Sequence, residues 1–431
     1  QGREYAPAAR MFCAAAQHAA TLSAHAETAR LARRGLEALS HVAESPEREQ
    51  LELQLLVMVG VALIITEGYA SEGARAAYTR ARTICRKLGT RRELFPILWG
   101  LWGYHLSVGQ GAEAIEIAQQ LRELAADGRA ADRVRAAWAL GTTAIFAGRP
   151  REGVELLDEG LRHYDRADDQ VDRYLYGHDA GQTCRVFGAW GRCLLGRPDE
   201  AMEQIDAACR EAAALSHPQS TAFTYMFAAV IHHFRGDPEP ALARAEEAYQ
   251  IADREGMPQF REWNRSVIGW ARHALGQAEE GIADATHALA ALRAIGSQVA
   301  LGYYGGILAD MLLRSGQPGR ALDLADEMLD LVRRTGEDIQ RPELLRIRAG
   351  ALAAFGRREE AIAAARESVQ VAERQQSLLH ELRALLMLAR LRRGTPELDD
   401  VLRDLYAALT AIKGGLSTRD VIDVRTTLEL V

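Results

Sequence analysis

Residues 236–242 read GDPEPAL, 276–282 GQAEEGI, 316–322 GQPGRAL and 356–362 GRREEAI. The opening glycines stand 40 residues apart each time. Three earlier copies begin at Gly109 (GQGAEAI), Gly148 (GRPREGV) and Gly196 (GRPDEAM), and the intervals up to Gly236 are 39, 48 and 40 residues. A fixed period of this size marks a repeat protein, in which each unit buries its apolar face against its neighbours. Such proteins mostly bind other proteins and seldom carry out chemistry themselves.

The phrase has a physical reading. Glycine suits the left-handed position that ends a helix. Pro150, Pro198, Pro238 and Pro318 follow two residues later, where a first-turn proline loses no hydrogen bond. Five residues after each glycine stands a small residue: Ala114, Gly153, Ala201, Ala241, Gly281, Ala321 or Ala361. The next position is always aliphatic, from Ile115 to Ile362. A small residue lets two antiparallel helices approach, and the aliphatic one fills their seam. Seven residues before the glycine is a second small position, occupied by Gly141, Ala189, Ala229, Gly269, Ala309 and Ala349 and broken by Trp102.

This small–glycine–small spacing resembles the tetratricopeptide repeat (TPR), whose usual unit is about 34 residues. Units of 40 imply longer helices. HEAT and armadillo units have this length but lack the glycine–alanine phrase. A second glycine series, Gly256, Gly296 and Gly336, also steps by 40 and closes the second helix of each pair. Residues 5–20 with 24–42, and 47–66 with 72–88, read as two earlier pairs. Residues 378–393 and 397–412 continue the series, and 418–430 read as a cap. No run alternates like a strand. The expected fold is an all-α, TPR-like right-handed α-solenoid of about ten antiparallel helix pairs, a single unit over 1–431. Within it, 1–90 hold the N-terminal pairs, 91–375 the regular repeats, and 376–431 the last pair and cap.

Composition narrows function. The formal net charge is −7, with both signs interspersed, so the basic stripe that nucleic acid requires is missing. Arg333–Arg334 and Arg357–Arg358 sit near helix ends, where cations complement the dipole. The longest apolar run, 55–65, is shorter than the roughly 20 residues a bilayer crossing takes and reads as a buried helix. Cys13, Cys85, Cys184, Cys193 and Cys209 form no CxxC pair, and reduced thiols in a cytoplasmic protein fit them. The chain starts at Gln1, mid-repeat and without methionine, which reads as a piece of something longer.

No catalytic constellation stands out. There is no GxxxxGK[ST] phosphate loop and no GxGxxG after a strand. Gly302, Gly305 and Gly306 lie within a helical run and serve close packing. His233 and His273 hold equivalent positions in adjacent repeats, yet no cysteine or carboxylate stands near them at ligand spacing. No cofactor and no metal is expected.

The tryptophans carry a stronger signal. In a TPR the first helix of each pair lines the concave face, at positions 13, 10, 6, 3 and 2 residues before the glycine. That register selects Trp99, Trp138, Trp190, Trp263 and Trp270, five of the six tryptophans. It adds Phe146, Phe223, Met226, His233, Phe234 and Tyr303. Two arrangements fit these rings: a groove that meets a partner through large rigid contacts, or a core buried by tight curvature. The 48-residue interval places its extra residues near 167–179. Helix-pair arrays often carry insertions on the binding face, which draws attention to Tyr176, His178 and Asp179. Asp179 equally suits a helix cap.

Several stretches resemble one family. RYLYGHDAGQTCRVFGAWGRCLLGRPDEA (173–201) is similar to its YGHDPG…WxLWLLGxPDxA segment. ALIITEGYASEGARAAYTRARTIC (62–85) resembles GYxxxExxxxYxRAxxLC, and ILWGLWGYHLSVGQ (97–110) resembles LxGLWxxxLxxG. DLYAALTAIKGGLSTRDVIDVRTTL (404–428) resembles LYxWFTEGFxTxDLxxAxxLL, with Ala408 and Leu409 in place of an aromatic pair. Ala180 replaces the proline after YGHD. These segments belong to the C-terminal TPR regions of large bacterial signalling proteins. Their N-terminal parts are class III adenylate/guanylate cyclase or kinase domains followed by an AAA/STAND-type ATPase module. The resemblance implies a regulatory arm that binds a protein or peptide partner, including the cyclase or ATPase domains of its own chain, and implies no catalysis here. The alternative is the effector-sensing superhelix of a STAND-type transcriptional regulator, which binds a small molecule. A long open channel favours peptide; a pocket with a few polar groups among the tryptophans favours the small molecule.

Overall fold

In the computed structural model, residues 2–167, 172 and 176–429 are described, and among them every regular element is a helix. The first two pairs are α1 (Gly2–Thr21) with α2 (His25–Ser40), and α3 (Pro46–Glu67) with α4 (Glu72–Leu88). Next come α5 (Arg91–Ser107) with α6 (Gly111–Ala126), and α7 (Ala130–Phe146) with α8 (Pro150–Leu161). Beyond the insertion lie α9 (Ala180–Leu194) with α10 (Pro198–Ala213), and α11 (Pro218–Arg235) with α12 (Pro238–Arg254). Then follow α13 (Pro258–Ala274) with α14 (Ala278–Ile295), and α15 (Leu301–Arg314) with α16 (Pro318–Thr335). A short 3-10 turn (Asp338–Gln340) leads into α17 (Arg341–Ala354) with α18 (Arg358–Gln375). The tenth pair is α19 (Leu378–Leu391) with α20 (Leu398–Ala411), and α21 (Arg419–Glu429) caps it. This is the TPR-like solenoid that the repeat implies.

All seven glycines sit in the turn between the first and second helix of a pair, each with positive φ. The turn at Gly236 shows why. Its N–H donates to the His233 carbonyl at 3.1 Å, and the Asp237 N–H to the His232 carbonyl at 3.0 Å. These are the two bonds of a Schellman cap, which needs a left-handed residue. The small positions do the packing. Ala241 and Ala321 are fully buried, and a Cβ at Gly269 would stand 2.6 Å from the Gly281 carbonyl oxygen. Helix α3 is long and apolar enough to cross a membrane by length and composition, and here it is mostly buried against α2, α4 and α5.

One expectation is corrected. Units do not touch only their neighbours. The Gln298 N–H donates to the Ser107 carbonyl at 2.7 Å, and the Val299 N–H to the same oxygen at 3.1 Å. The Tyr69 N–H donates to Gln259 Oε1 at 2.9 Å, across 190 positions. Further along, Lys413 N–H meets the Gly196 carbonyl at 2.8 Å and Arg383 the Phe234 carbonyl at 3.1 Å. The superhelix therefore closes after nearly five units, and its second turn rests on the first. Tight winding brings the inner helices of opposite units together and encloses the axis.

Candidate functional site

The inner helices α5, α7, α9, α11, α13 and α15 surround the enclosed axis, and the projected register other than Trp99 falls on it. Two chambers result. The first is aromatic, with a volume of ≈ 110 Å³. Trp138, Phe146, Trp190, Phe223, Met226, Trp263 and Tyr303 line it, as do Tyr69, Trp102, Phe187, Phe227, Tyr304 and Glu337. The rings meet edge-on or tilted, as between Phe146 and Trp190 at 5.3 Å and Phe187 and Phe227 at 4.7 Å. Its single carboxyl among the described residues, Glu337, accepts the Ala300 N–H at 3.0 Å. Burial pushes Glu337 up to about 8, so it is mostly protonated at neutral pH.

The second chamber is larger, ≈ 660 Å³, and charged. His233, Phe234, Trp270 and Tyr303 line one side of it. Asp310 joins Arg346 at 2.6 Å and Arg314 at 2.5 Å. Glu343 joins Arg346 at 2.9 Å, and Arg383 joins Asp420 at 2.8 Å. Burial opposes ionisation of Glu343, yet Arg346 and Arg383 outweigh it and hold it at about 2. Asp310 is lowered by Arg346 and Arg314 in the same way. His233 accepts or donates at Nδ1 to the Tyr303 hydroxyl at 2.9 Å, and burial lowers it to about 3. Five guanidinium groups and five carboxylates face this vestibule, so its walls are polar with balanced charge.

The remaining candidates lie elsewhere. Trp99 sits behind the aromatic chamber, 4.2 Å from Trp138 and edge-on to Tyr176. Of the insertion at 167–179, residues 168–171 and 173–175 lie outside the described set, and Tyr176, His178 and Asp179 are buried. Tyr176 lies beneath the Arg135 guanidinium at 4.2 Å. His178 is bonded to the Tyr69 hydroxyl and packed on Trp138 and Phe223, and burial lowers it to about 3. Asp179 caps α9 by accepting the Gln182 N–H at 2.9 Å. His273 turns to Ser315 at 2.9 Å and not to His233. No cluster of metal-ligating residues occurs among the described residues. All five cysteines are buried.

Sequence reasoning passed over most of the aromatic chamber's lining. Phe187 and Phe227 stand nine residues before their glycines, a position outside the projected register, and Trp102 stands seven before Gly109. Part of the charged lining was on the register: Asp310 is six before Gly316, and Arg346 and Glu343 are ten and thirteen before Gly356.

The chain is similar over 375 residues to an uncharacterised protein of Rhizobium meliloti, at 27% identity. The match covers 85% of this chain and 36% of that protein, so the chain spans about a third of the relative's length. No protein family's sequence profile matches. Among solved structures, the Rap protein complexed with competence and sporulation factor is similar with a TM-score of 0.59 at 12% identity, over 87% of this chain and 99% of that one. A STAND protein with a tetratricopeptide repeat sensor from Pyrococcus horikoshii aligns at 0.46 and 13% identity, over 85% and 52%. NprR with its cognate peptide NprX aligns at 0.47 and 14%, over 69% and 83%. The likeness to the Rap protein is one of fold, and it agrees with the TPR-like solenoid that the internal repeat implies.

Proposed function

We propose that this chain is the non-catalytic regulatory arm of a larger cytoplasmic bacterial signalling protein, and that it takes a short peptide or chain segment into the vestibule. The observation that carries the reading is the vestibule itself. It is large enough for a short peptide and within the usual range of ligand sites, about 300–1,000 Å³. Its paired arginines and carboxylates match the peptide termini and amides, and Trp270 and Phe234 offer apolar contact. The Rap protein, alike in fold, is described in complex with competence and sporulation factor. An occupant there touches α11, α13, α15, α17, α19 and α21 together, so its binding shifts how the two superhelical turns sit on each other. That shift is the signal passed to attached domains. Cyclase or kinase and ATPase modules are the attached domains that the sequence resemblance supports.

The test uses a library of short peptides equilibrated with the chain, followed by anisotropy titration of the best binder. Arg390→Glu reverses an exposed charge on the vestibule wall, and Trp270→Ala removes its half-buried ring. Both variants should lose binding about tenfold or more with unchanged circular dichroism. Undiminished binding in both would place the peptide site elsewhere. A second reading, in which a small molecule is the effector, is favoured by the aromatic chamber.

A further inference from the structure

The aromatic chamber contains groups that the fold leaves unmet. The indole N–H groups of Trp138, Trp190 and Trp263 are buried without a hydrogen-bond partner. So are the hydroxyls of Ser107 and Thr142. All five residues line the same cavity. Trp102 shows the contrast, since from the same wall it donates to Thr143 Oγ1 at 3.0 Å. Buried tryptophan N–H groups ordinarily find an acceptor, and buried polar groups without one are rare. Here the unmet groups come from α5, α7, α9 and α13 and converge on one space.

The chemistry of that space is narrow. Among the described residues no Lys, Arg, His or Asp lines it, and Glu337 is engaged with the Ala300 N–H. A phosphate or a zwitterion entering it would lose its hydration and find no counter-charge. The volume of ≈ 110 Å³ compares with the roughly 150 Å³ of a dry cavity that accepts benzene. One ring or a short chain fits.

We propose that the aromatic chamber binds a small neutral molecule, one ring or a short chain carrying a ketone or ester oxygen that accepts from the tryptophan indoles. The proposal rests on the second functional reading and is independent of a peptide in the vestibule.

Calorimetric titration of the chain with three probes tests it. Acetophenone has the ring and the acceptor, ethylbenzene the ring alone, and benzoate the ring with a charge. Acetophenone should bind saturably, ethylbenzene about tenfold more weakly, as for one lost hydrogen bond, and benzoate not at all. Trp190→Phe and Trp263→Phe keep a ring and delete the N–H. Each should weaken acetophenone several-fold and leave ethylbenzene unchanged, and either variant suffices if the other misfolds. Absence of saturable acetophenone binding, equal affinity for ethylbenzene, or indifference of both variants would overturn the proposal. Arg390→Glu should be silent in this assay, which separates its failure from that of the vestibule reading.

Discussion

Replacing Gly109 and Gly316 by alanine, one at a time, measures the contact between superhelical turns. Both glycines have positive φ, 73° and 71°, so alanine meets the same backbone strain at each, about 1–2 kcal/mol. Their surroundings differ. A Cβ at Gly316 meets nothing within 4 Å. At Gly109 it would stand 2.4 Å from Thr335 Cγ2 and 3.1 Å from Gln298 Oε1. Thr335 cannot swing aside freely, because it is β-branched and its hydroxyl is tied to the Leu331 carbonyl at 3.1 Å. The second turn must lift, which strains the two bonds from Gln298 and Val299 to Ser107. Overpacking of this kind costs about 1–3 kcal/mol. Gly316→Ala should therefore lose about 1–2 kcal/mol and Gly109→Ala about 2–5 kcal/mol. Urea unfolding followed by far-ultraviolet circular dichroism reads both. Equal losses would refute the account and mean that the turns do not press on each other at Thr335.

Three further outcomes are expected. Ala321→Leu should overpack the α15–α16 seam and cost about 1–3 kcal/mol; an unchanged thermal midpoint would show that the small position is not a contact. Trp190→Ala should cost about 3–5 kcal/mol in urea unfolding, as for a ring removed from a core, whereas the half-buried Trp270→Ala should cost clearly less; the reverse order would mean the two chambers are misassigned. Glu337 binds its proton more tightly when folded, so its share of stability is full below its ordinary pKa near 4.5 and is lost as pH rises through about 8. That share reaches about 5 kcal/mol, and Glu337→Gln should flatten the fall in urea midpoint between those limits. An identical pH profile in the variant would show that Glu337 titrates like an exposed acid.

Local spacing made the pairs legible. Glycine reports a left-handed cap, and the small residues at fixed offsets report helix approach, so the turns at Gly236 or Gly316 needed no tertiary information. The inner register was legible too, since Trp138, Trp190 and Trp263 all face the axis. Its closure was not. Contacts such as Ser107 with Gln298 join segments almost two hundred positions apart and leave no trace in local periodicity. Asp310, Glu343 and Arg346 occupy the same register as the tryptophans, but charged residues on a helix read as solvated surface until a second turn encloses them. The described end of the insertion was illegible for a related reason: extra residues suggest an exposed loop, whereas Tyr176, His178 and Asp179 are buried.

The stacking of one superhelical turn on the next also sets an order of events at birth. The wall formed by α5, α7 and α9 emerges from the ribosome before α15 exists to cover it. At about 5–20 residues per second, the delay between Ser107 and its partner Gln298 is roughly 10–40 seconds. During that time Trp102, Trp138 and Trp190 face solvent as a contiguous aromatic strip. A nascent chain in that state is a substrate for holdase chaperones and prone to aggregate, and synonymous changes that slow translation between these segments would prolong the exposure.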